Sequence, residues 1–242
     1  MRDPSSPTTA GTPDAPGHLG LAETWIFDLD NTLYPARCNL FAAIDQRMGE
    51  FIAGAMGVDI PAAKAMQKQF FERHGTTLRG LMHEHRIDPA DFLAYVHDID
   101  LSPLKPEPRL DLALARLPGR KVIYTNGSTA HAERVLGRLG LRHHFTAIHD
   151  IIAADFVPKP HPEPYLDLCA SQGIDPARAV MVEDMARNLK PAHDMGMTTV
   201  WVVSDNDWAR AGQGDHIHHV VTDLAAWLES IADRRAEAGA PR

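Results

Sequence analysis

No long run of lysine or arginine occurs anywhere in the 242 residues, and the formal net charge is −8. A nucleic-acid-binding face must neutralise phosphates, so none is expected here. Cysteine is scarce: Cys38 and Cys169 are the only two, far apart and in no metal-ligand spacing. One disulfide stays formally open, but two isolated thiols read as a cytoplasmic inventory. Long apolar runs are missing too. None approaches the roughly 20 residues that span a bilayer, so no membrane partner is expected. Residues 1–22 carry Pro4, Pro7, Pro13 and Pro16 among small polar residues and lack an apolar segment. That composition predicts a disordered tail in place of a signal peptide.

What is present begins with an ordinary hydrophobic fraction of 44%. The length suits one α/β core with a smaller accessory unit. "TWIFDLD" at 24–30 reads as a strand delivering carboxylates to its C-terminal end. Residues 39–99 then carry helical periodicity and almost no strand signal. One helix begins at Leu40 and stops at Gly57. A second has Pro61 in its first turn and closes at Gly75, and a third follows an Asp88 cap. From "RKVIYTNG" onward strands and helices alternate. Strands are expected there, around 147–152, at "AVMVED" and at "TTVWVV", with helices at "STAHAERVLGRLG", ended by Gly140, and at 163–172, 187–195 and 223–233. The fold class expected is a doubly wound, Rossmann-like parallel sheet covered on both faces, interrupted by a helical insert. The core comprises 23–36 and 106–242, and the insert 37–105.

Four strand ends carry polar residues that a purely structural sheet has no reason to place there. They are Asp28 and Asp30, Thr125 and Asn126, Lys159 in "VPKPHPEP", and Glu183 with Asp184. In a doubly wound sheet these loops open on one side, where ligands bind. Carboxylates gathered together repel unless a cation sits among them, and Mg2+ takes oxygen ligands while leaving room for a phosphate. The Thr125 hydroxyl and the Lys159 ammonium would supply donors and charge to phosphoryl oxygens. An aspartate attacking phosphorus splits one hard hydrolysis into two easier steps.

"DLDNT", the Thr125 strand end, the Lys159 loop and "EDMARN" together resemble the haloacid dehalogenase superfamily, over about residues 24–227. The resemblance implies that Asp28 is the nucleophile and Asp30 the acid and base. Thr125, Asn126 and Lys159 would hold the phosphoryl group. Magnesium would be bound by the Asp28 side chain, the Asp30 carbonyl and Asp184. Glu183 is the lesser candidate, and Asn188 stands where many relatives carry a second acid. Relatives that act as dehalogenases lack the second aspartate, so a phosphatase is implied. The insert falls where the superfamily carries a helical cap. "HGTTLRGLM" and "DPADFLAYVHDIDLSPL" resemble the cap of the pyrimidine 5′-nucleotidase subfamily, implying UMP and CMP as substrates. His74, Thr76 and Thr77 are the candidate specificity residues; in that subfamily tyrosine is frequent at the position of His74.

Each motif alone has a plainer reading. Aspartates often follow strands as turn caps, and Thr125–Gly127 could simply start a helix. Their order and strand contexts favour the site. Phosphoglycolate and sugar phosphates remain alternative substrates. A non-hydrolytic aspartate phosphoacceptor is the other class, but it needs no leaving-group acid and no lid. His83/His85 and His216/His218/His219 lack a convincing ligand set for a transition metal.

Overall fold

The computed structural model describes residues 19, 21–204 and 207–239. Residues 1–18 and 20 of the expected tail lie outside the described residues. Strand β1 (Thr24–Phe27) leads into four consecutive helices: α1 (Leu40–Met56), α2 (Ile60–His74), α3 (Thr77–His85) and α4 (Pro89–Val96). Then come α5 (Pro108–Arg116), β2 (Arg120–Tyr124), α6 (Thr129–Leu139), β3 (Phe145–His149) and α7 (Glu163–Gln172). The chain continues with β4 (Ala179–Glu183), α8 (Leu189–Asp194), β5 (Thr198–Val202), β6 (His219–Val221) and α9 (Leu224–Gly239).

The strands form one parallel six-stranded sheet in the order β3-β2-β1-β4-β5-β6. Strand β1 is central because all four of its residues are apolar enough, or well enough paired, to be buried. Alternate residues feed opposite faces. Trp25 and Phe27 join Ile123, Val180, Val182 and Val200 in one cluster. Ile26 joins Val122, Tyr124, Met181 and Trp201 in the other. Burial on both faces explains why the strands read as continuous apolar runs. The strand order reverses direction between β1 and β4, which opens a crevice at their carboxyl ends.

The insert helices are punctuated as their sequence dictates. Asp59 accepts the Ala62 N–H at 2.9 Å, and Asp88 accepts the Ala90 N–H at 2.8 Å. Caps of this kind are each worth about 1 kcal/mol. Gly57 and Gly75 end α1 and α2 with φ of 66° and 81°, a region that costs a side chain but not a hydrogen. Leu40, Ile44, Ile52, Phe70, Leu81 and Phe92 are buried in the cluster that also covers one sheet face.

Two helices go beyond the sequence expectation. Helix α3 starts only two residues after α2 ends, so the break at Gly75 and Thr76 hides a second start. Helix α5 opens on the proline- and glutamate-rich "KPEP" and is not among the expected helices, although Leu110, Ala113, Leu114 and Leu117 are all buried. It packs on α9, where Arg109 meets Glu229 at 2.7 Å and Arg116 meets Asp233 at 2.5 Å. Strand β3 lies at 145–149 and not 147–152, and α9 runs past 233 to 239. Among the described residues no helix is long and apolar enough to cross a membrane.

Candidate active site

The carboxyl ends of β1 and β4 bring the predicted charges together. Asp28 directly follows β1, Glu183 ends β4, and Asp184 comes next. All three are buried, each offering a carboxylate oxygen within 4.8 Å of the others. Lys159 arrives from the loop before α7. Its Nζ donates to Asp28 Oδ1 at 2.7 Å, Glu183 Oε2 at 2.6 Å and the Tyr124 carbonyl at 3.0 Å. Thr32 Oγ1 donates to the second oxygen of Asp28 at 2.9 Å.

The electrostatics follow from this crowding. Burial, then the charge of Glu183, push Asp28 up to about 7 despite Lys159. Burial, then Glu183 and Asp28, push Asp184 up to about 10. Burial works against the Lys159 charge, but Asp28 and Glu183 outweigh it and hold the ammonium well above its usual range. One lysine cannot neutralise three buried carboxylates.

The leftover acceptors show what kind of partner would complete the site. Glu183 is already occupied: Lys159 takes Oε2, while the Met185 N–H at 3.2 Å and Asn188 Nδ2 at 3.1 Å take Oε1. By contrast, Asp184 Oδ2 and Asn188 Oδ1 are buried with no hydrogen-bond partner. Unpaired oxygens beside surplus negative charge fit a hard divalent cation such as Mg2+. A test follows from linkage. Between about pH 7 and 9 the unfolded chain has lost the protons of Asp28 and Asp184, while the metal-free fold retains part of them. The native state therefore binds more protons, and its stability falls as pH rises. Thermal denaturation in chelator should show the melting temperature declining over this window, with magnesium or Asp184→Asn flattening the slope. A level or rising profile in chelator would contradict the buried carboxylate cluster.

Asp30 lies apart from this cluster. Its Oδ1 accepts Tyr34 Oη at 2.5 Å and faces His131 Nε2 at 2.9 Å. Burial alone would raise its pKa, but the charge of His131 and the bonds from His131 and Tyr34 bring it down to about 2. Neither partner stands out in the sequence. The available signals were Tyr34, four residues after Asp30, and the histidine in the first turn of the helix after "TNG".

Thr125 follows β2 and is buried, with its Oγ1 accepting the Gly127 N–H at 2.9 Å. A Cβ at Gly127 would come within 3.3 Å of both Thr125 Oγ1 and His131, so the glycine leaves room where these groups converge. Asn126 Oδ1 is spent on the Lys159 backbone N–H at 2.9 Å, which fixes the lysine loop. In the insert, His74 bonds Glu84 at 2.7 Å and Thr76 caps α3 by accepting the Arg79 N–H at 3.2 Å. Thr77 is buried. A Cβ at Gly75 would lie 3.7 Å from His161 Nε2 and 3.9 Å from Pro158, so this turn rests against the lysine loop.

Among the described residues neither His83/His85 nor His216/His218/His219 forms a metal-capable group. His216 Nε2 instead donates to the Ala186 carbonyl at 2.9 Å. A further cluster places His143 and His144 3.1 and 2.6 Å from the same Asp111 oxygen.

This arrangement has relatives. The chain is 28% identical to phosphate metabolism protein 8 of Saccharomyces cerevisiae over 88% of its own length and 66% of that protein's. It is 23% identical to a phosphoglycolate phosphatase of Mannheimia succiniciproducens over 85% of its length and 96% of the relative's. The fold matches a crystal structure of a HAD phosphatase from Thermococcus onnurineus with a TM-score of 0.56 at 18% identity, covering 91% of this chain and 99% of that one. The sequence pattern of the haloacid dehalogenase-like hydrolases matches residues 23–196, from the strand that delivers Asp28 past the loop that delivers Asp184, and the chain belongs to that family.

Proposed function

We propose that the protein is a magnesium-dependent phosphatase that cleaves a small phosphate monoester through an aspartyl phosphate on Asp28, with pyrimidine 5′-monophosphates as preferred substrates. The observation that carries this reading is the convergence of Asp28, Lys159 and Asp184 in one buried cluster, with Asp30 clamped separately beside it. The alternative substrates are phosphoglycolate and sugar phosphates, and the Mannheimia relative is named for the first.

The residues divide the work. Asp28 attacks phosphorus, and its oxygen is aimed by the Lys159 and Thr32 bonds. Lys159 and Thr125 receive the phosphoryl oxygens. Asp30 gives a proton to the leaving oxygen and takes one from the water that cleaves the intermediate. Its depressed pKa keeps it ionised, the form that the second task requires. The dianionic phosphate entering beside it raises its proton affinity and so supplies the acid form for the first. Asp28, the Asp30 carbonyl and Asp184 would hold magnesium, which when bound supplies positive charge against the phosphoryl oxygens. Residues 37–105 act as a cap that excludes water and contacts the rest of the substrate.

Substrate choice belongs to the segment from His74 to Leu81, whose turn at Gly75 rests against the lysine loop. All candidate substrates share the phosphate site, so selection must come from shape farther out. A purine's second ring is excluded more effectively by close packing than a pyrimidine is rewarded by one more contact. Steady-state kinetics on UMP, CMP, AMP, GMP and phosphoglycolate should give the highest kcat/KM for the pyrimidines. Thr77→Ala should raise KM for them by about three- to tenfold, the scale of one hydrogen bond. A preference for phosphoglycolate or purines would remove the nucleotide assignment and leave the phosphatase chemistry intact.

A further inference from the structure

Helix α6 contributes no residue to the four motifs, yet its first turn carries a fully enclosed imidazole beside Asp30. The His131 side chain is fully buried and its Nε2 lies 2.9 Å from Asp30 Oδ1. Its other nitrogen, Nδ1, is buried and has no hydrogen-bond partner. One face of its ring stacks on His97, with centroids 4.4 Å apart and planes inclined by 16°. His97 comes from the far end of the insert, just after α4, and is itself pinned. Its Nδ1 meets Ser128 Oγ at 3.0 Å, and Arg134 grips the carbonyls of His97 and Ile99 at 2.7 and 3.1 Å. The same Ser128 hydroxyl accepts the His131 backbone N–H at 3.3 Å.

We propose that His131 is a positioning residue for Asp30, holding Oδ1 so that Oδ2 is the oxygen presented to the leaving group. The proposal rests on the reading of Asp30 as the leaving-group acid. An aspartate carboxyl turns freely about its side-chain bonds unless its neighbours fix it. Two donors on one oxygen, from Tyr34 and His131, select one orientation and leave the other oxygen unencumbered. Packing against His97 gives the imidazole no room to follow Asp30 if the carboxylate swings. The clamp thus draws on three separate stretches of chain: the loop after β1, the start of α6 and the exit of the insert.

Two substitutions separate the hydrogen bond from the ring. His131→Phe keeps an aromatic ring against His97 and removes the donor. His131→Gln keeps an N–H near the position of Nε2 and removes the ring. Folding is checked by circular dichroism and thermal denaturation, with His131→Leu in reserve should the phenyl ring not be accommodated. First-turnover rates are then measured on glycerol 2-phosphate, whose alkoxide needs a proton to leave, and on p-nitrophenyl phosphate, whose phenolate does not. His131→Phe should lose about 10- to 100-fold more on the glycerol ester than on the aryl ester, as expected for a misplaced acid. His131→Gln should recover most of that difference, and His131→Phe should add none of it in an Asp30→Asn background. Equal losses on both esters, or a glutamine variant no better than phenylalanine, would overturn the proposal. An Asp30→Asn protein that itself shows no leaving-group dependence would instead bring down the acid reading on which it stands.

Discussion

Asp28→Asn should yield a folded protein that turns over phosphate monoesters at least about 10⁴-fold more slowly, the scale on which loss of a covalent nucleophile is felt. An amide oxygen attacks phosphorus poorly and binds a hard cation weakly, so attack and metal binding are both lost. The fold should survive because Lys159 keeps Glu183 at 2.6 Å and the Tyr124 carbonyl at 3.0 Å. Asp28 sits in a cluster with more negative than positive charge, where burial and Glu183 already oppose its ionisation. Replacing it with a neutral group relieves that repulsion. The melting temperature in chelator at neutral pH should therefore hold steady or rise. Turnover and thermal denaturation are to be read on the same preparation. Wild-type enzyme quenched in acid during turnover of ³²P-labelled substrate should carry label on the peptide containing Asp28. Retention of turnover within tenfold of wild type by folded mutant protein would exclude the covalent route.

The main outline was legible in the sequence because its strands are buried on both faces. Such strands must read as apolar runs, and the charges at their ends then have no structural excuse. Asp28 and Asp184 stand out this way, Lys159 lies ten residues past the end of β3 in the loop before α7, and the fold brings the three together. Helices α3 and α5 were harder to see. Each begins at residues that also signal a break, just after Gly75–Thr76 in one case and at the last proline of "KPEP" in the other. Of the partners of Asp30, Tyr34 is near in sequence but His131 could not be read from spacing. His131 lies 101 residues from Asp30, and only the tertiary placement of α6 joins them. His97 owes its place to the path by which the insert returns to the core. Glu183 also took on more definition than its motif offered. Sequence alone left it the lesser ligand candidate, whereas its bonds to Lys159, Met185 and Asn188 make it the group that orients the lysine.

Asp30→Asn should divide the reaction at the leaving group. Cleavage of an alkyl ester such as UMP forms an alkoxide that must be protonated as it departs, and general-acid help of this kind is worth about 10²–10⁴-fold. Removal of the carboxyl should slow the first turnover of UMP by that amount. Nitrophenolate leaves without a proton, so the first turnover of p-nitrophenyl phosphate should change far less. Later turnovers behave differently, because the aspartyl phosphate on Asp28 waits for a water molecule that Asp30 activates. With p-nitrophenyl phosphate the variant should give a burst of nitrophenolate close to one equivalent per enzyme, followed by a slow steady rate. Tyr34 and His131 remain in place in this variant and still offer donors to the amide oxygen, so the site keeps its shape. Rapid-quench measurements on both esters distinguish the two roles. A burst on the aryl ester with a slow first turnover on UMP supports both roles, and a burst on both esters leaves Asp30 as the base alone. First turnovers slowed equally on the two substrates would show that Asp30 does not act as the leaving-group acid.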